Sequence, residues 1–93
     1  MSSTVKSLGK TRCLKLARVF IPDREIKRDE VTYRNLRSIE RITLSVNASA
    51  FPKAPTLYFH HQLDGVLVYY EHWEKHERYK IFEGSYDELM ELI

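Results

Sequence analysis

Four histidines, His60, His61, His72 and His76, fall in one short stretch, with Glu71 and Glu74 beside them as oxygen donors. Imidazole nitrogens and carboxylates are common zinc ligands, so metal binding is the first chemistry to weigh. His72 and His76 share a face only on a helix, whereas the tyrosines and valines before them favour a strand end and a turn. No HExxH pattern and no second cysteine completes a ligand set, so no metal and no cofactor is expected. The histidines read as hydrophilic residues edging an exposed sheet.

Covalent catalysis needs a nucleophile beside a base and an oxyanion site, and the chain has neither a Gly-x-Ser-x-Gly elbow nor a Cys-His signature. Cys13 belongs to an apolar segment over 13–21 and is expected in the core. Glycines occur only at Gly9, Gly65 and Gly84, too few and too scattered for a phosphate-cradling loop. A nuclease using His60, His61 or His72 as acid and base needs a positioning that the spacing does not supply. No catalytic residue is assigned, and the chain is not expected to be an enzyme.

The aromatic side chains are more informative. Tyr58, Phe59, Tyr69, Tyr70, Trp73, Tyr79 and Phe82 crowd into residues 56–82. Strand alternation sends successive side chains to opposite faces, so roughly half should leave the core. Tyrosine and tryptophan on a sheet surface either anchor a protein partner or stack on unpaired bases. Tyr58, Tyr69, Tyr70, Trp73 and Tyr79 are therefore the candidate partner-binding residues. For a nucleic-acid partner, Lys6, Lys10, Arg12, Arg34 and Arg37 are the candidates to grip phosphates.

The elements that must position these residues follow from periodicity. Residues 1–10, rich in Ser and Lys, read as a flexible basic arm, leaving 11–93 as the folded domain. Leu14 and Leu16 flank Lys15, which reads as a strand over 13–21 ended by Pro22-Asp23. Residues 24–40 read two ways. Tyr33, Leu36 and Ile39 recur every third position, favouring a short helix capped by Asp29, whereas Val31-Thr32-Tyr33 favour a hairpin. Ile42, Leu44 and Val46 alternate with polar residues, predicting a half-buried strand over 41–46.

Residues 47–55, with two prolines, form the obvious connection. Runs at 56–61 and 66–72 flank Asp64-Gly65, a dipeptide that tolerates the positive φ angles of a tight hairpin turn. A third run at 78–82 follows a charged turn at 74–77, completing a β-meander over 56–82. Ser85-Tyr86-Asp87-Glu88 has the capping-box spacing, predicting a helix from Tyr86 with an apolar stripe of Tyr86, Leu89, Met90 and Ile93. The expected fold is a single small α+β domain, mostly antiparallel sheet, with a C-terminal helix and a further helix, if 24–40 is one, packed on one face.

Composition agrees: 43% hydrophobic and 30% charged residues suit a folded domain, and 93 residues suit one core. No apolar run approaches the roughly 20 residues of a membrane helix, residues 1–10 lack the apolar core of a signal peptide, and Cys13 is alone. A cytoplasmic protein without a membrane partner is expected. The net charge of +2 divides unevenly: residues 1–46 hold eleven cations against five anions, and residues 47–93 hold four against eight.

The ranking that results puts a non-enzymatic module recognising another protein first, as a small regulator, inhibitor or accessory subunit. Single-stranded nucleic-acid binding through the basic half and the sheet aromatics stands second, and a histidine-dependent nuclease third. Glu71, Glu74, Glu77 and Glu83 make the meander acidic, which is what places protein above nucleic acid. Pairing of an open sheet edge with a second copy, giving a homodimer, is a further expectation.

Overall fold

Cys13, Leu14, Leu16 and Ala17 are all buried while Lys15 and Arg18 face outward, the i, i+1, i+3, i+4 pattern of a helix with one apolar face. They belong to α1, Gly9–Phe20, so the strand expected over 13–21 is corrected to a helix. Lys15 between two leucines fits either period, and Ala17, Phe20 and Ile21 extend the helical one. The computed structural model describes residues 7–46, 54–72, 74 and 77–93. Of the expected arm, residues 1–6 lie outside the described residues. Leu8 is buried, and Gly9 and Lys10 open α1.

Five strands follow: β1 (Thr32–Asn35), β2 (Ile39–Thr43), β3 (Thr56–His61), β4 (Val66–His72) and β5 (Glu77–Gly84), then α2 (Tyr86–Met90). They pair in sequence order, all antiparallel, as one meander with open edges at β1 and β5. The α+β class, the antiparallel meander and the C-terminal helix are as the sequence predicts. The hairpin reading of residues 24–40 is the one observed, and the helix reading is corrected: a single 3-10 turn, Arg28–Glu30, precedes β1. Leu36 projects from the turn, and Arg37 takes a left-handed φ of 70° with its N–H donating to Asn35 Oδ1 at 2.9 Å. The strand expected over 41–46 begins two residues earlier, at Ile39, and leaves Val46 exposed.

Register divides the sheet into two faces. Tyr33, Ile42, Leu57 and Tyr70 form one cross-strand row, and Glu40, Phe59, Val68 and Phe82 the next. These rows meet the helices: Phe20 of α1 lies 6.3 Å from Phe82, and Tyr86 of α2 stacks on His61. Both helices thus cover the same face, and the core lies between them and the sheet. Ser85 caps α2 through the expected capping box, and Leu89 is fully buried beneath it. Ile93, expected in the stripe, lies beyond the helix and is exposed.

Gly65 has a different reason from the one expected. Its φ is not positive. A Cβ there would sit 2.2 Å from the Gly84 carbonyl oxygen, so glycine is required by close approach of the β3–β4 turn to the end of β5.

Candidate functional site

Two groups of polar side chains stand out, one inside the protein and one on the sheet face opposite the helices. The inner group centres on Glu40, whose side chain is fully buried. Its carboxylate accepts N–H bonds from Leu8 (2.7 Å) and Gly9 (2.9 Å) at the start of α1, and an O–H bond from Ser7 (3.3 Å). The Tyr33 hydroxyl also donates to it, and His61 Nε2 lies 2.5 Å away. In the tautomer that donates from Nε2, His61 Nδ1 accepts from the Tyr86 hydroxyl. Burial pushes the Glu40 carboxyl upward. The bonds from His61, Leu8, Tyr33 and Gly9 outweigh that and bring it down to about 2.

The chemistry of this centre is that of a clamp. Burial and the neighbouring Glu40 charge raise the Cys13 thiol far above its ordinary range, so it is no nucleophile. Burial and the bond to Glu40 push the Tyr33 hydroxyl up to about 12, and burial with the same charge raises Tyr86. Each phenol is a donor held in its protonated form.

The second group lies on the face that neither helix covers. One cross-strand row there reads Arg34, Arg41, Tyr58, Tyr69, Lys80, one residue from each strand in order. A bulge assembles its last member. Val68 pairs with Phe82 but Tyr69 with Lys80, so Ile81 is the extra residue that turns Lys80 onto this face. The Arg78 guanidinium lies over the Tyr58 ring, 4.0 Å from its centroid, and pairs with Glu71 at 3.1 Å. Lys80 pairs with Glu83 at 2.7 Å. His60 sits against Tyr69, 4.9 Å between ring centres, and burial followed by the Arg78 charge lowers its pKa. Arg41 Nε and His60 Nε2 are buried without a hydrogen-bond partner. Among the described residues, no carboxylate forms an ion pair with Arg34 or Arg41.

The residues singled out from sequence are distributed over both sides. Tyr58 and Tyr69 share the open face, whereas Tyr70 packs against the core and Tyr79, its cross-strand partner, lies on the helix side. Of the phosphate-gripping candidates, Arg34 lies on the open face and Arg37 in the adjoining turn. Lys10 and Arg12 lie on α1, across the sheet. Trp73, Lys6 and His76 lie outside the described residues. His60 and His61, adjacent in sequence, point to opposite faces, and among the described residues no three His, Cys, Asp or Glu side chains are grouped to hold a metal. Sequence reasoning missed Arg41, Arg78 and Lys80 as members of the face. Alternation with Ile42 places Arg41 off the core side, but its register with Tyr58 needs the pairing of β2 and β3.

A concavity of about 430 Å³ at the hairpin end is lined by Leu63, Asp64, Gly65, Glu83 and their neighbours, and both its charged side chains are acidic. No helix among the described residues is long and apolar enough to cross a membrane. Fold and site together define a small α+β domain: a five-stranded antiparallel sheet, helices on one face, a cationic tyrosine row on the other. No family model, curated protein or solved structure matches the chain.

Proposed function

We propose that the protein is a non-enzymatic binding module whose open sheet face receives an anionic partner. The observation that supports this reading is the register row Arg34, Arg41, Tyr58, Tyr69, Lys80. Like charges directly opposite each other weaken a strand pair, and Arg34 faces Arg41 across β1 and β2. Glu71 and Glu83, which made the meander look acidic, are engaged by Arg78 and Lys80, so they do not neutralise that pair.

The test is site-specific cross-linking in the host that makes the protein, with a photoreactive aromatic residue at position 69 or, as control, at position 15 on α1. The adduct is expected at position 69 alone, and is lost when Arg34 and Arg41 are both replaced by Gln. No adduct at position 69, or equal adducts at the two positions, contradicts the proposal.

A further inference from the structure

Resting on that reading, we infer that the anionic partner is single-stranded nucleic acid, its phosphates held by the Arg34 and Arg41 guanidiniums and its bases stacked beside Tyr58 and Tyr69. The row crosses four inter-strand gaps of about 4.8 Å, giving a platform roughly 19 Å long with the Arg34 and Arg41 pair at one end, two aromatic rings beside it and Lys80, paired with Glu83, at the other end. Guanidinium forks match phosphate oxygens in a bidentate way, and two in register neutralise adjacent phosphates while relieving their own repulsion. Tyrosine rings offer a stacking surface to any base, which needs no pocket.

Two alternatives fit less well. Protein hot spots sit in desolvated pockets ringed by apolar contacts. The row itself has no aliphatic member: Leu36, Val46, Leu63 and Ile93 lie away from it, and the aliphatic side chains near it, Ile81 at the bulge and Ile39 and Leu67 in the next row, stand one at a time between polar residues. A duplex keeps its bases paired and stacked, so it cannot use the tyrosines. The stacked Arg78 and Tyr58 pair adds a guanidinium plane on which a further base can lie.

The experiment is fluorescence anisotropy of the full chain with a short fluorescein-labelled oligothymidylate, free or paired with oligoadenylate, from low salt to about 0.2 M. The single strand is expected to bind at least about tenfold more tightly than the duplex, a difference of about 1.4 kcal/mol. Replacing Arg34 and Arg41 by Gln should flatten the log affinity against log salt line by about 1.4, because each single-strand phosphate contact contributes about 0.7. Tyr69→Ala should weaken binding at least about fivefold, whereas Lys15→Gln on α1 should leave affinity and slope unchanged. Circular dichroism confirms that each variant is folded. No binding of the single strand, tighter binding of the duplex, or indifference to both the double arginine variant and Tyr69→Ala overturns the inference. If it is overturned and the position-69 adduct is protein, the open-face reading stands with a different partner. If no adduct forms, that reading has failed too.

Discussion

Glu40 keeps its charge inside the protein because its carboxylate collects donors from three separate segments: Ser7, Leu8 and Gly9 at the start of α1, β1 through Tyr33, and β3 through His61. A buried carboxylate without such donors would stay protonated. Its carboxyl falls from an ordinary 4.5 to about 2 in the folded protein, so the unfolded chain takes up its proton at the higher pH. The associated stability is fully present above about pH 4.5 and is lost as pH falls toward 2, with a size of about 3 kcal/mol. Between pH 6 and pH 2 the wild type should therefore lose about 3 kcal/mol more than Glu40→Gln, read from urea midpoints. Equal losses would mean that Glu40 is not ionised in the native state. Alternation with Ile42 puts Glu40 on the core side, but nothing local shows that it caps a helix 31 residues away.

That distant cap explains why α1 is the element least legible in the chain. Leu8 stands at its N-cap and makes no side-chain cap bond, so the usual Ser, Thr, Asp or Asn signal is missing. Two of the N–H groups at its start, those of Leu8 and Gly9, donate to Glu40 instead. By contrast, α2 carries its own signal in Ser85 and Glu88, and β3 and β4 carry theirs in β-rich runs around Asp64-Gly65, which is why the start of α2 and the bounds of β3 and β4 hold. Residues 24–40 were ambiguous because Tyr33, Leu36 and Ile39 keep a helical spacing although Leu36 belongs to a turn. Side-chain truncation along α1 separates helix from strand. Leu16→Ala and Ala17→Asp should each destabilise by at least about 2 kcal/mol, while Lys15→Ala and Arg12→Ala should change the denaturation midpoint little. A strand would expose residue 17 or residue 16, and tolerance of either substitution would contradict the packing.

Across the whole molecule, the meander brings cations from the basic half and tyrosines from the acidic half onto one sheet face. The second half's glutamates looked free in the sequence, and only the β4–β5 register, with its bulge at Ile81, shows Glu71 and Glu83 beside Arg78 and Lys80. Arg34 and Arg41 are then left facing each other, at a cost to the fold of roughly 0.2–1 kcal/mol that salt should screen. If this pair serves a partner and not the fold, the stability of Arg34→Gln as a function of salt will show it without any ligand. The unfolding free energy of the variant, from urea titration, should equal or exceed that of the wild type in low salt, by up to about 1 kcal/mol, with the difference vanishing by about 0.5 M salt. A loss of 1 kcal/mol or more at every salt concentration would show that Arg34 holds the sheet together, and would contradict it.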